Sequence, residues 1–216
     1  TEDELNKIID IALRHNLIIV SDDIHCDLVL RLAPSAKRQA HEVHTPLATL
    51  APPELRLITC ISPSKTFNIP GLNLSALVAS HEADKRAIAQ VFARLHVNPF
   101  NPLSLTAFEA AYAGGEAWLE ELLVYLAANQ EFVLNELKNT PIHCAPAQAT
   151  ALMWLDCRAL GLNNSELKHF FIQQAGLGLN DGLSFGKNGE GFMLLNIGTQ
   201  RAVLKQAITQ LKLALN

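Results

Sequence analysis

Lys65 stands between an apolar run and a Gly/Pro turn in the stretch ISPSKTFNIPGLNLSALVAS, residues 61 to 80. An amine at the end of a buried strand is costly to keep charged; burial lowers its pKa, and the neutral form can attack a carbonyl carbon to give a Schiff base. Upstream, NLIIVSDDIHC closes another apolar run on Asp22 and Asp23, with His25 close behind, while Ser62 and Ser64 precede the lysine. In open α/β sheets, ligands bind beyond the carboxyl ends of the strands. The two sets of residues are therefore expected to meet at one crevice.

A lone lysine after a strand is more often a solvated loop charge, so the neighbouring acid matters. A carboxylate beside a Schiff-base lysine is the pair that pyridoxal phosphate requires, because an acid at the ring nitrogen keeps it protonated and sustains the electron sink. Asp22 can supply that carboxylate.

These residues need strands that end together. TEDELNKIIDIALRHN opens with Thr1 and has Glu4 at the capping-box position, followed by Leu5, Ile8, Ile9 and Ala12 at helical spacing. The β-branched run NLIIVSDD then has the form of a buried strand, as do LRLITCIS (55 to 62) and NLSALVAS (73 to 80). Helix alternating with strand predicts an α/β fold with a largely doubly wound sheet. Residues 81 to 97 and 102 to 113 read as helices, and GEAWLEELLVYLAANQEFVLNELKN as one long helix able to bridge two domains. Beyond it, ALMWLDCRAL, the helix NSELKHFFIQQAG, the strand FMLLNIG and a closing helix from about Arg201 predict a smaller α+β unit. The expected division is residues 1–127 and 128–216.

The composition narrows the function classes. The chain has 216 residues, 49% hydrophobic and 18% charged, with a formal charge of −4, which describes a soluble globular protein and offers no basic excess for nucleic acid. No apolar run approaches the roughly 20 residues needed to span a bilayer, and no basic-then-apolar leader opens the sequence; an intracellular, cytoplasmic location is expected. Cys26, Cys60, Cys144 and Cys157 form no C-x-x-C pair and read as buried free thiols.

Other motifs carry little. HEVH, His41 to His44, is not H-E-x-x-H and sits among prolines, so no metal site is expected. GLGLNDG misses the dinucleotide fingerprint, and GLSFGKN lacks both the length of a P-loop and the Ser/Thr after Lys187; both read as turns. The stripe Leu119, Leu122, Leu123, Leu126 and Ala127 reads as core.

Taken together, VSDDIHCDLVL, SPSKTFNIPGLN, AAYAGGEAWLEELLVYLAANQEFV, MWLDCRALGL and LNDGLSFGKNGEGFMLLNIGTQR resemble the pyridoxal phosphate-dependent fold-type I enzymes, in the MalY/PatB-type cystathionine β-lyase (C–S lyase) branch of the class I/II aminotransferases. The resemblance runs in order from Thr1 to the C-terminus. It implies the C-terminal part of the aspartate aminotransferase-like large domain, followed by the small α+β C-terminal domain. It also implies that Lys65 carries pyridoxal 5'-phosphate covalently, that Asp22 pairs with the pyridine nitrogen and that Ser62 contacts the phosphate. Asp23 stands where Glu is usual. His25 falls where related aminotransferases place a tyrosine near the 3'-oxygen; a hydrogen-bonding role and a structural one both stay open.

Two departures accompany the resemblance. The family's carboxylate-binding arginine position is Leu194, and leucine cannot replace a bidentate guanidinium; Arg201 matches a different family position. The family is also nearly twice this length, with Thr1 matching a point just after the middle, so the glycine-containing phosphate loop, the ring-stacking aromatic and an asparagine are expected upstream. The implied function is a C–S β-lyase acting on cystathionine or cysteine S-conjugates, working as a homodimer on a small amino-acid substrate, with this stretch alone inactive. A class I/II aminotransferase is the near alternative. A degenerate, non-catalytic interaction module is the alternative of another kind.

Overall fold

The computed structural model describes residues 1–30, 44–97 and 101–215. They form two compact units, one made of Thr1–Val29 with the described residues from 44 to 120, the other of Leu30 with residues 121–215. The expected division at 127/128 and the observed one at 120/121 fall within the same long helix.

In the first unit, helix α1 (Glu2–Arg14) begins on the Thr1/Glu4 capping box and buries Ile9 and Ala12, while Ile8, also expected on the apolar stripe, is 47% exposed. Asn16, at φ 50°, takes the left-handed conformation that lets the Leu17 N–H return to Ala12 O at 2.8 Å. This closes the helix and sends the chain into strand β1 (Ile18–Asp22). β1 pairs in parallel with β2 (Arg56–Ile61), from Ile18 opposite Arg56 to Asp22 opposite Cys60, and β2 pairs antiparallel with β3 (Ala76–Ala79), in the order β1-β2-β3. Of the doubly wound expectation, the parallel pairing is observed for β1 and β2 alone among the described strands. Between β2 and β3 the chain turns back with only a 3-10 turn at Pro70–Leu72, and a strand reached without a crossover helix runs antiparallel.

One face of this sheet is closed and the other open. Ile19 and Leu57 pack with Ile9, Ala12, Leu47 and Leu55, whereas Val20 is 63% exposed and Ile18 44%. Helices α2 (Glu82–Arg94), α3 (Pro102–Gly114) and α4 (Glu116–Leu137) follow. Asp84, buried in the first turn of α2, is gripped by both arms of the Arg56 guanidinium, with Nε 3.0 Å from Oδ2 and Nη2 on Oδ1.

That guanidinium holds the Asp84 carboxyl below the usual carboxylate range. A depressed folded-state value means that the stabilisation is present above the unfolded value, about 3.9, and is lost as pH falls through the folded one. Arg56→Gln should therefore lower the melting temperature most near neutral pH, and the gap from the parent protein should close below about pH 3.9. A gap that stays constant across an acid titration of thermal unfolding would mean that the pair does not act through charge.

In the second unit, strands β4 (His143–Cys144), β5 (Leu152–Asp156), β6 (Asn180–Asp181) and β7 (Phe192–Asn196) form an antiparallel sheet in the order β4-β5-β7-β6. Met153, Leu155, Met193 and Leu195 turn into a core with Val133 and Leu137 of α4, Phe171, and Leu204, Ile208 and Leu211 of the closing helix Arg201–Ala214. The helix Asn164–His169 starts on an Asn163/Glu166 capping box and passes into a π turn at Phe170–Gln174. The expected α4 stripe is buried at Leu119, Leu123, Leu126 and Ala127, with Leu122 half-buried.

Candidate active site

The parallel register of β1 and β2 brings both strands' carboxyl ends to one edge. Asp22, the last residue of β1, lies opposite Cys60, and the Asp23 N–H extends the ladder to Cys60 O at 2.9 Å. Ser62 and Lys65 follow directly beyond β2. Asp22 and the Lys65 turn are thereby brought to the same sheet edge, as the strand endings predict.

The two neighbouring aspartates have separate tasks. Asp22 is exposed, on the open face with Val20, and among the described residues its Oδ1 receives only the Ile24 N–H at 3.4 Å. Asp23 is buried at 7% exposure; its Oδ1 accepts the Ser21 hydroxyl at 2.7 Å and its Oδ2 lies 3.4 Å from His44 Nε2. One carboxylate is available to a ligand. The other holds its own turn.

The Lys65 turn is built from its neighbours. The Phe67 N–H reaches Pro63 O at 2.9 Å and the Ile69 N–H reaches Ser64 O at 3.1 Å, and Asn68, left-handed at φ 53°, ends the coil. Ser62 is buried; its hydroxyl donates to Leu74 O at 2.8 Å and accepts from the Ser64 N–H at 3.2 Å. A phosphate contact by Ser62 would require that proton to turn away from Leu74. Thr66, with no exposed surface, donates its hydroxyl to Asp27 Oδ2 at 3.0 Å. The Phe67 ring lies between Trp118 (5.8 Å, stacked) and Tyr112 (5.9 Å, edge-on). It also abuts Gly115, where a Cβ would come within 2.2 Å of Phe67 Cε1, so glycine is required by close approach.

With Thr66 and Phe67 drawn inward, Lys65 is left exposed. The burial anticipated for it from the sequence is not supplied by the described residues, because an amine on the outer side of a one-turn coil is covered only by atoms from another segment.

His25 Nδ1 is buried without a hydrogen-bond partner among the described residues. An orphaned polar atom beside this edge is what a bound polar group would satisfy. Burial, reinforced by the Asp27 charge, pushes the Cys26 thiol up to about 11 and the Tyr112 phenol up to about 12, so both are protonated at neutral pH. All four cysteines are free, but only Cys157 is fully buried; the others are half-buried.

Asp27, Thr66, Phe67, Tyr112 and Gly115 were not evident as site residues from the sequence. The Thr66–Asp27 bond joins residues 39 apart, and the only local sign of it is a third acid two residues after His25.

In the second unit, Leu194 is half-buried on β7, opposite Trp154 of β5 and Asn180 of β6. The Arg201 guanidinium is held within the same unit, with Nε 2.7 Å from Asn129 Oδ1 and its carbon over the Phe132 ring at 5.0 Å. Residues 182–189 form two 3-10 turns, while GLGLNDG also contains β6. Of HEVH, only His44 falls among the described residues; among these, no three His, Cys, Asp or Glu side chains gather as a metal site. No described helix is long and apolar enough to cross a membrane.

Comparison with known proteins gives the same reading of the sequence. The family described as aminotransferase class I and II matches residues 1–211. The chain is similar to cystathionine beta-lyase PatB of Bacillus subtilis, with 34% identity over 221 residues covering 100% of the chain and 54% of that protein. It is also similar to protein MalY of Escherichia coli, with 30% identity over 214 residues covering 98% and 52%. Among solved structures it resembles cystalysin from Treponema denticola, which contains a pyridoxal 5'-phosphate cofactor, with a TM-score of 0.86 and 27% identity over 100% of the chain and 53% of that one. The chain spans about half the length of the curated relatives it matches.

Proposed function

The chain belongs to the aminotransferase class I and II family, and from that membership we propose that it serves a pyridoxal 5'-phosphate-dependent C–S β-lyase that acts on cystathionine or a cysteine S-conjugate, releasing thiol, pyruvate and ammonia. The chain spans about half the length of its relatives, and the activity proposed is that of the whole protein. The observation that carries the reading is the parallel register that sets an exposed Asp22 and the Lys65 turn at one sheet edge.

The residues present fit the cofactor: a solvent-facing amine and, among the described residues, a carboxylate without a strong partner and the orphaned His25 Nδ1. Bound there, pyridoxal phosphate would withdraw electrons from the α-carbon of an attached amino acid. Lys65 Nζ would hold the cofactor at its carbonyl carbon and, when free, would take the proton from the substrate α-carbon. Asp22 would hold the proton on the ring nitrogen, and His25 would offer a hydrogen bond to the ring oxygen. Leu194 would leave the substrate carboxylate to another group.

The family description itself favours a second reading, a transaminase in which the same lysine returns the proton to a different carbon. The reading includes a homodimer in the cytoplasm, a reducing compartment that suits four free thiols. The test is borohydride reduction of the protein with pyridoxal phosphate, followed by peptide mass mapping, together with an assay of pyruvate release from cystathionine. Label on Lys65 and pyruvate formed without a keto-acid acceptor are expected. Label on another lysine would sink the site, and pyruvate that appears only with an acceptor would favour the transaminase.

A further inference from the structure

The Lys65 turn is tied to the Asp22 loop at a point that the proposed chemistry does not use directly. Past the last ladder bond, from Asp23 N–H to Cys60 O, the segments following β1 and β2 are held together by the Thr66 hydroxyl on Asp27 Oδ2 at 3.0 Å. Thr66 has no exposed surface, and Asp27 is half-buried. Thr66 is the residue next to Lys65, and Asp27 follows Asp22 and His25 in the same loop. On the other side of Thr66, Phe67 is wedged against Gly115 and between Trp118 and Tyr112.

We propose that Thr66 and Asp27 are positioning residues that fix the separation between the Lys65 amine and the Asp22 carboxylate. The inference rests on the pyridoxal phosphate reading above. A pyridoxal ring is rigid, with its nitrogen and its carbonyl-bearing carbon at opposite ends, so the groups that grip the two ends must be held at one spacing. Lys65 and Asp22 sit on different segments. A buried hydroxyl–carboxylate bond joining those segments removes the slack that exposure would otherwise give the Lys65 side chain. Thr66 touches neither substrate nor reacting atoms in this scheme; it acts through the backbone it shares with Lys65.

The test uses the full chain with pyridoxal phosphate and three variants, Thr66→Val, Thr66→Ser and Asp27→Asn. Three quantities are read: the cofactor concentration needed for half-maximal borohydride-trapped label on Lys65, the pH midpoint of the bound cofactor's visible absorbance, and the melting temperature without cofactor. Valine keeps the shape of threonine but removes the hydroxyl, and it should raise the half-loading concentration about tenfold or more and move the pH midpoint. Serine restores the hydroxyl and should restore both readouts. Asparagine keeps an acceptor for Thr66 and should load within a few-fold of the parent protein. The proposal is overturned if folded Thr66→Val loads and titrates like the parent, if Thr66→Ser behaves like valine, or if Asp27→Asn loses loading with the hydroxyl intact. Should Thr66→Val fail to fold, the serine and asparagine results still decide. Absence of label on Lys65 in the parent protein would instead sink the cofactor reading, and this inference with it.

Discussion

Under the proposed lyase reading, Lys65→Ala is expected to abolish covalent attachment of pyridoxal phosphate by the whole protein and to reduce its turnover by at least about 10²–10⁴-fold, the range associated with loss of a positioned general base. The fold should survive. Lys65 is exposed, and the turn that carries it is held by its neighbours: the Ser62 hydroxyl on Leu74 O, the Phe67 N–H on Pro63 O and the Thr66 hydroxyl on Asp27. Surface substitutions of this kind stay within about 0.5 kcal/mol of the parent's stability. Absorbance, peptide mapping and a melting curve on one preparation separate the two effects. A variant that still takes up label at another lysine, or turns over unchanged, would remove Lys65 from the chemistry.

That Asp22 and the Lys65 turn lie beyond one edge of the sheet was legible in the sequence for a physical reason. Two β-branched runs ending in polar residues make strands whose carboxyl ends lie together if they are parallel, and the observed Asp22–Cys60 register supplies that condition. The direction of β3 was not legible, because alternation and β-propensity mark a strand without fixing its sense; the crossover, or its absence, does that. The buried setting expected for Lys65 failed for a related reason. Burial belongs to whatever packs over a residue, and the residues flanking Lys65 turned inward in its place. The two-residue strands β4 and β6 have no period to read, since they exist only through pairing with β5 and β7.

The split between Asp22 and Asp23 shows where sequence reading stops and geometry takes over. Period-2 alternation says that adjacent residues face opposite sides of a sheet, but the preceding run, Ile18-Ile19-Val20, is apolar on both sides and cannot say which side is closed. The packing of Ile19 with α1 settles it, sending Ser21 and Asp23 inward and Val20 and Asp22 outward.

That split leads to a paired expectation. Asp22→Asn should lower kcat by on the order of 10²–10³-fold, the loss seen when one preorganised charge-stabilising contact is removed, because a neutral amide no longer keeps the ring nitrogen protonated. Its effect on folding should be small: the side chain is exposed, asparagine has the same shape, and only the 3.4 Å contact from the Ile24 N–H is at stake. Asp23→Ala should do the reverse. It removes the buried acceptor of the Ser21 hydroxyl, at a cost of about 1–3 kcal/mol for an unsatisfied buried group, while leaving kcat near the parent value in whatever fraction stays folded. Steady-state kinetics and denaturant melts on both variants give the four numbers needed. If Asp23→Ala proves the more damaging to kcat in folded protein, the ring-nitrogen partner has been assigned to the wrong aspartate, and the open face of the sheet is not the cofactor's side.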